Sequence, residues 1–282
     1  MLPHYSPMST KVIFFPEASD YIASSPEESL SLAKSETESP FVKGLRAAAR
    51  EHNLHVNVGI HVPVPVEPSS TPTLSTAATT AAPSGETTKL LNRTIWISPD
   101  GQVDPSRSYD KLHLFDYGTL RESRHTQAGT ALTPPFTSPV GRIGSLICFD
   151  LRFPEPALAL AHPPAEKGWQ PAQILTYPSA FTVPTGEAHW EPLLRARAIE
   201  SQCWVVAAAQ VAWHTGEQGK DGLVVDPWGR VKVALPGVRE VEKEGRKEMV
   251  MEAEAVGALG LVDIDLGEWE GVRERMPLVR RT

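Results

Sequence analysis

GRIGSLICFDLRFPEP, residues 141–156, is the segment from which the architecture can be read. Ile143 to Cys148 is an apolar run with the length and composition of a buried strand. Asp150 and Arg152 then break the apolar pattern, and prolines at 154 and 156 open a short helix that runs to Ala161. A strand that turns sharply into a helix is a building unit of layered α/β folds. Downstream, Gln173 to Tyr177 reads as a strand. Thr185-Gly186 opens a helix over Ala188 to Glu200, with Pro192 near its first turn and Trp190, Leu193, Leu194 and Ile199 on its inner side. Cys203 to Ala209 is a further apolar strand. Leu223-Val224-Val225, the turn Asp226-Pro227-Trp228-Gly229 and Val231 to Ala234 spell a hairpin. A charged excursion, 239–254, precedes a last strand expected over Leu261 to Ile264.

Upstream of that segment, KVIFF (Lys11 to Phe15) is a short strand that ends at Pro16-Glu17. Ser39-Pro40 is a helix start, and Phe41, Val42, Leu45, Ala48 and Ala49 recur at helical spacing. Leu54, Val56, Val58, Ile60 and Val62 alternate, as in a strand with one buried face. From about Pro63 to Thr88 the chain is rich in Pro, Ser, Thr and Ala without large apolar periodicity, and reads as a mobile surface insert. Structure resumes at Thr94 to Ile97, with a turn at Pro99-Asp100-Gly101. No repeat period is visible. Strands mixed with helices over 282 residues fit one large α/β domain, 1–282.

A net charge of -7 with no basic stripe argues against nucleic acid as a partner. No apolar run reaches membrane-spanning length. Two cysteines, Cys148 and Cys203, make no disulfide framework, which suits a reducing compartment. MLPHYSPMST has neither the pattern of a signal peptide nor that of a transit peptide, so a cytoplasmic location is expected. Asn92-Arg93-Thr94 matches a glycosylation sequon and, without secretion, reads as a strand edge.

Cys148 sits where an apolar strand gives way to a polar turn. Such a turn lifts a nucleophile off the sheet edge, and the N–H groups that follow it can face a developing oxyanion. A nearby helix N-terminus and a cation would both favour thiolate. The bland alternative is a small buried apolar residue. Cysteine hydrolases usually pair the thiol with histidine, but neither His113, His125 nor His189 lies in a recognisable signature, and His189 reads as a packing or hydrogen-bonding residue. A carboxylate can serve as base if burial raises its pKa toward the working pH. Glu17, at the end of a strand, is the candidate, against an exposed acid at a loop start. Lys111, in DKLHLFD, could hold an oxyanion, against a surface lysine on a strand edge.

Together these residues resemble the nitrilase superfamily of carbon–nitrogen hydrolases. The segments that carry the resemblance are FFPEASDYI, YDKLHLFD, GRIGSLICFDLRFPE, ILTYPSAFTVPTGEAHWEPLLRARAIESQCWVVAAAQ and LVVDPWGRV. They span most of the chain outside the insert and the charged excursion. The resemblance implies a four-layer α-β-β-α sandwich and a Glu–Lys–Cys triad on Glu17, Lys111 and Cys148. It also implies a supporting glutamate at Glu122, in RESRHTQAG, and an oxyanion held by Lys111 with the backbone N–H of Phe149. No metal or organic cofactor is implied.

Within the superfamily the chain looks most like the Nit branch. The implied function is hydrolysis of a small carboxamide to acid and ammonia, foremost as a deaminated glutathione amidase and alternatively as an ω-amidase acting on 2-oxoglutaramate. A true nitrile hydrolase is the weaker enzyme reading. The implied substrates carry carboxylates, and Arg152 is the candidate anchor for one of them, against a structural salt bridge. A homo-oligomer built through helical faces is also implied.

Two departures stand out. The superfamily places a strand and a long helix ahead of the glutamate strand, whereas only about ten residues, with Pro3, His4 and Pro7 among them, precede KVIFF. The first strand and helix are therefore expected to be missing, which would leave a sheet edge exposed. An incomplete gene, a short isoform and a non-catalytic scaffold that binds a ligand or subunit all fit that expectation. The ending MPLVRRT is short as well, so altered subunit contacts are expected.

Overall fold

The computed structural model of the chain describes residues 10–66, 88–118, 120–181, 183–211, 213–214, 217–218, 222–243 and 246–279. Strand β1 (Val12–Phe14) leads to Glu17, and helices α1 (Pro26–Leu32) and α2 (Pro40–His52) follow. The start of α2 is the one its sequence spells: the Ser39 hydroxyl accepts the Val42 N–H at 3.3 Å and Pro40 occupies the first turn. Strands β2 (His55–Pro65) and β3 (Thr88–Ile97) form a long antiparallel pair, in register from Val56 opposite Ile97 to Pro65 opposite Thr88. β4 (Tyr109–Asp110) completes a four-stranded sheet of order β1-β2-β3-β4.

β2 thus extends past Pro63, into what composition marks as the insert. The ladder tolerates both prolines because of their parity. Gly59 donates its N–H to Pro16 O, and Asn57 and Gly59 accept from Phe15 and Ser19. Odd-numbered residues of β2 therefore turn their amides toward β1 and away from β3, so the N–H that Pro63 and Pro65 lack is not one the β2–β3 pairing uses. The remainder of the insert, 67–87, lies outside the described residues, as do Pro3, His4 and Pro7. Among the described residues β1 is the outer strand of its sheet.

A small hairpin of β5 (Asp116–Tyr117) and β6 (Leu120–Arg121) comes next, which the sequence pattern does not announce. β7 (Phe136–Ser138), β8 (Gly141–Ser145), α3 (Pro154–Ala161), β9 (Ile174–Thr176), α4 (Val183–Ser201) and β10 (Trp204–Ala207) then alternate. The paired stretches β11 (Trp213–His214) and β12 (Glu217–Gln218) precede β13 (Leu223–Val225) and β14 (Val231–Ala234). The second sheet has six strands in the order β14-β13-β10-β9-β8-β7, with β8, β9 and β10 parallel. The charged excursion is a hairpin of β15 (Val238–Lys243) and β16 (Arg246–Met251), and α5 (Leu266–Arg275) follows.

Three expectations are corrected. The strand ahead of Cys148 ends at Ser145, and Cys148–Arg152 is a turn of 3-10 helix, because Asp150 recruits the Ile147 N–H and closes the backbone early. Leu261 to Ile264 pairs with no strand; Val262 and Ile264 pack on the core as side chains without a ladder. On α4, Ile199 is exposed and Ala198 is buried in its place; Ile199 lies over Gly229 of the Asp226–Gly229 turn.

The layers follow from strand alternation. Val56, Val58, Ile60 and Val62 of β2, with Leu91, Ile95 and Ile97 of β3, face α2 through Val42 and Ala49. The opposite face of that sheet meets the second one: Trp96, Val12 and Phe14 pack with Ile143, Ile174, Trp204 and Val224. The far side of the second sheet is covered by Ala157 and Leu160 of α3 and Trp190, Leu194 and Ala198 of α4. The result is the expected α-β-β-α sandwich. Among the described residues no helix is long and apolar enough to cross a membrane.

Candidate active site

Glu17, Lys111 and Cys148 come from the carboxyl-terminal ends of β1, β4 and β8, and the two facing sheets bring them together. Open α/β folds place ligand sites at such strand ends. Glu17 can approach because β2 carries a glycine opposite it. A Cβ on Gly59 would stand 2.7 Å from Glu17 Cα and 2.9 Å from Pro16 O. Beyond Glu17 the chain bends through Ala18, at φ 53°, and Gln210 Nε2 donates to the carbonyls of Glu17 (3.0 Å) and Ala18 (3.2 Å). That bend is a left-handed one few side chains adopt unaided.

The Glu17 carboxylate is buried and fully engaged. Oε1 accepts from Lys111 Nζ at 2.9 Å and from Asn92 Nδ2 at 2.7 Å, and Oε2 accepts the Ala180 N–H at 2.8 Å. Lys111 Nζ also donates to both oxygens of Glu122, at 2.9 and 3.2 Å. Glu122 is fixed in turn by the Phe115 N–H at 2.7 Å and by Asn92 Nδ2 at 3.1 Å. One ammonium therefore sits between two carboxylates, with Asn92 bridging the same two acids. A Lys burying its charge needs such partners.

Cys148 occupies the end of the turn at φ 42°, a strained conformation for a residue with a side chain. Its N–H donates to Pro178 O at 3.0 Å, and its thiol lies within the influence of the Glu17 charge. Asp150 holds the turn from beneath. This fully buried carboxylate accepts from the Ile147 N–H (3.0 Å), Tyr109 OH (2.7 Å), the His113 N–H (3.0 Å) and His113 Nδ1 (2.7 Å). Tyr109 lies two residues before Lys111, so Asp150 couples the nucleophile's turn to the strand that carries the lysine. Cys148 N–H and Asp150 N–H are both taken by carbonyls, and the Phe149 N–H between them meets no backbone acceptor among the described residues.

The electrostatics correct one sequence expectation. Burial pushes the Glu17 carboxyl up, yet the Lys111 charge and the Lys111 and Asn92 hydrogen bonds outweigh it and hold the group below its ordinary value. The expected burial-raised base is thus an ionised one, because a cation 2.9 Å away dominates. Burial works against the Lys111 ammonium, but Glu122 first and Glu17 second raise it well above its ordinary value. The Cys148 thiol is pushed well up by burial and by the Glu17 charge, so the turn and cation do not produce a resting thiolate.

A cavity of about 440 Å³ opens on these groups. Arg152 lines it next to Cys148. Its Nη2 lies 2.8 Å from His189 Nδ1, which must accept because guanidinium only donates; Arg152 pairs with no carboxylate, and its Nε is buried without a partner among the described residues. Among the described residues Arg152 meets no carboxylate, and it is hydrogen-bonded to His189. His125 and His61 also line the cavity. Asp20 holds His61 Nδ1 at 3.0 Å, the ring stacks on Tyr21, and burial lowers His125. Among the described residues no group of three or more His, Cys, Asp or Glu side chains is arranged to hold a metal ion.

Sequence reading missed Asn92, the Ala180 N–H, Gln210 and His61. Asn92, read in the sequence as a strand edge, is instead buried, because β3 turns it, opposite His61, toward the second sheet. A polar residue alternating with Thr94 and Trp96 in an otherwise apolar strand was the available signal.

The model of the carbon-nitrogen hydrolase family matches residues 5–273. The chain is 38% identical over 278 residues to a probable hydrolase, nit2, of Schizosaccharomyces pombe, covering 96% of this chain and 85% of the relative. It is 40% identical over 226 residues to the deaminated glutathione amidase of Rattus norvegicus, covering 77% of this chain and 61% of that protein. It spans 55% of the chain in the crystal structure of the Caenorhabditis elegans NitFhit protein, which covers 95% of this one with 36% identity and a TM-score of 0.69. The fold is also that of Saccharomyces cerevisiae Nit3, at 24% identity and a TM-score of 0.66, over 97% of this chain and 83% of that one.

Proposed function

The chain belongs to the carbon–nitrogen hydrolase family, and we propose that it hydrolyses a small-molecule amide through Cys148, with Glu17 as base and Lys111 as the oxyanion partner. The observation that carries this reading is the Lys111 ammonium, 2.9 Å from both Glu17 and Glu122, on the same cavity as the Cys148 thiol. As Cys148 Sγ bonds to the amide carbon, its proton passes to Glu17. The carbonyl electron pair moves to oxygen, where Lys111 and the Phe149 N–H receive it. Negative charge leaves Glu17 as it arrives on the oxyanion, so the charge around Lys111 is relocated, not created. Glu17 then protonates the leaving nitrogen as the C–N bond breaks. It next takes a proton from water as the water oxygen attacks the thioester, and returns that proton to Cys148 Sγ as the C–S bond breaks and the acid is released.

The substrate we propose is deaminated glutathione, with 2-oxoglutaramate as the smaller alternative. The rat relative's name supports the first, and the uncommitted Arg152 beside the nucleophile suits the 2-oxo acid carboxylate common to both. The products differ. Ammonia is the leaving group only from 2-oxoglutaramate; cleavage of the γ-amide of deaminated glutathione releases a peptidyl amine, which amends the expectation of ammonia. Two free thiols support a reducing, cytoplasmic setting, and exposed Trp228 beside Ile199 supports a homo-oligomer, which light scattering of the purified protein checks.

The test is 2-oxoglutarate release from deaminated glutathione, and ammonia release from 2-oxoglutaramate, by wild type and Cys148→Ala. Turnover of at least one compound by wild type and neither by the variant is expected. No turnover by a folded wild type would sink the amidase reading, and equal turnover by Cys148→Ala would sink the mechanism.

A further inference from the structure

We propose that Arg121 and Arg124 form a second carboxylate subsite in the same cavity, which takes the charged terminus of the leaving amine and so selects amides of anionic amines over those that release ammonia. The proposal rests on the amidase reading above and adds a specificity device to it.

Three guanidinium groups line the cavity: Arg121, Arg124 and Arg152. Among the described residues none of them makes an ion pair, whereas Arg93, Arg107, Arg197 and Arg230 each do. The acids close to Arg121 and Arg124 are already occupied. Asp116, on the same hairpin, accepts the Ser123 N–H at 3.1 Å and the Ser123 hydroxyl at 2.6 Å. Glu122, between the two arginines, spends its oxygens on Lys111, Asn92 and the Phe115 N–H. Asp116 feels the charge of Arg121 and Arg124, but among the described residues neither closes an ion pair with it, so both remain open to a carboxylate in the cavity.

Their placement gives the cations a direction. The scissile carbon must lie between Cys148 and Lys111. Arg152 follows Cys148 on one wall, anchored to His189. Arg121 and Arg124 come from a different lining segment, the turn whose Glu122 is tied to Lys111. That turn is rigidly held: the Thr126 N–H donates to Glu122 O at 2.9 Å, and Leu90 exchanges hydrogen bonds with His125 O (2.9 Å) and the Gln127 N–H (2.7 Å). In the proposed arrangement an amide bound across the triad meets Arg152 with its acyl side and the turn carrying Arg121 and Arg124 with its amine side. A 2-oxo acid amide that releases ammonia fills only the first. A peptidyl amine ending in a carboxylate fills both, and charge-assisted Arg–carboxylate contacts are the strong ones.

The experiment is a cycle in substrate and enzyme. Deaminated glutathione is compared with the same compound carrying a terminal carboxamide in place of its terminal carboxylate. Both are assayed with wild type and with Arg121→Ala/Arg124→Ala. Because both arginines are exposed, the preference of wild type for the carboxylate in kcat/KM should be about tenfold at low salt and shrink at high salt. In the double variant it should fall to about unity. A structural role would lower both substrates alike and leave the ratio intact, which would overturn the proposal, as would a wild-type ratio near one. Titration of Cys148→Ala protein with both compounds separates this from the amidase reading. If wild type cleaves neither compound, that reading fails, and the ratio of dissociation constants, tenfold or unity, still decides the subsite.

Discussion

Gly59→Ala places a single methyl group where it must move Glu17. The added carbon would lie 2.7 Å from Glu17 Cα and 2.9 Å from Pro16 O, both backbone atoms, so no side-chain rotation relieves it. Something has to recede by roughly 0.7 Å to reach the 3.4 Å of ordinary contact. The softer partner is the β1 side. β2 is clamped to β3 from Val56 to Pro65, whereas β1 pairs in register over Val12–Phe14 and then holds β2 by single bonds from Phe15, Pro16 and Ser19, at the sheet edge. Overpacking of this kind costs about 1–3 kcal/mol, and the lower unfolded-state entropy of alanine offsets roughly 0.4–1 kcal/mol of it. For a chain of this size the melting temperature should fall by about 2–5 °C. The rate should suffer more, because a displacement approaching 1 Å at a catalytic group can cost on the order of 10²-fold. A kcat reduced about 10–100-fold in a protein that remains folded is therefore expected. The matched control is Gly44→Ala, on the exposed side of α2 with nothing within 4 Å of the new carbon, which should gain about 0.5–1 kcal/mol and keep its kcat. The assay is 2-oxoglutarate release beside thermal unfolding for each variant. Gly59→Ala with kcat within twofold of wild type would refute the claim that this contact sets the position of Glu17.

Other perturbations test neighbouring parts of the argument. Glu122→Gln removes the largest upward influence on Lys111 and should lower kcat at least tenfold, with activity lost at lower alkaline pH than in wild type; an unshifted pH–rate profile would count against it. Asn92→Asp replaces a donor to two acids by a third acid, and should destabilise by about 2–4 kcal/mol at neutral pH with a smaller loss at pH 5, read by denaturant unfolding. Asp150→Ala strips four donors of their shared buried acceptor and should cost about 3–5 kcal/mol while releasing the Cys148 turn; a loss under 1 kcal/mol would contradict its role. Stability against pH follows from the signs. Glu17 is lowered, so its contribution is present above 4.5 and lost as pH falls through its folded value; His55 and His125 are lowered by burial and contribute fully above 6.5. Cys148 is raised, so its contribution is present below 9.0 and lost as pH climbs, and that of Lys111 behaves likewise above 10.5. A plateau in melting temperature from about pH 6.5 to 9, with decline on both sides, is the expected profile; a maximum below pH 6 would contradict it.

What could be read in advance was what local pattern encodes. The alternation of Leu54 to Val62 announced β2, Ser39-Pro40 announced α2, and the Asp226–Gly229 turn announced the β13–β14 hairpin. Glu17, Lys111 and Cys148 were legible as candidates because the segments around them are long and specific, and because Glu17 and Cys148 also follow apolar strands. What was not legible depends on partners distant in sequence. Whether Leu261 to Ile264 is a strand is decided by the existence of a neighbour with free backbone groups, not by its apolar residues. Asn92 looked like an edge sequon until its pairing opposite His61 turned it toward the site. The direction of the Glu17 shift was misread for the same reason: burial was foreseeable from the strand, but the 2.9 Å approach of Lys111, 94 residues away, was not.

Under the proposed mechanism, the charge state of the resting site accounts for two acids sharing one lysine. With Glu17 ionised, Cys148 protonated and Lys111 charged, transfer of the thiol proton to Glu17 is uphill in the empty site, since the acid is held low and the thiol high. That gap protects a buried nucleophile from idle ionisation. It closes only when an electrophilic carbon accepts the sulfur pair at the moment the proton leaves, because the new oxyanion then takes the place of the Glu17 charge beside Lys111. During that interval Glu17 is neutral and can no longer hold Lys111 protonated. Glu122, 2.9 Å away on the other side, takes no part in that proton transfer and remains the partner of Lys111. A single acid would force base and counter-ion to be the same group, and the lysine could surrender its proton as the base acquired one. Asn92 donates to both acids and keeps them on opposite sides of the ammonium, dividing between Glu17 and Glu122 two tasks that one carboxylate cannot perform together.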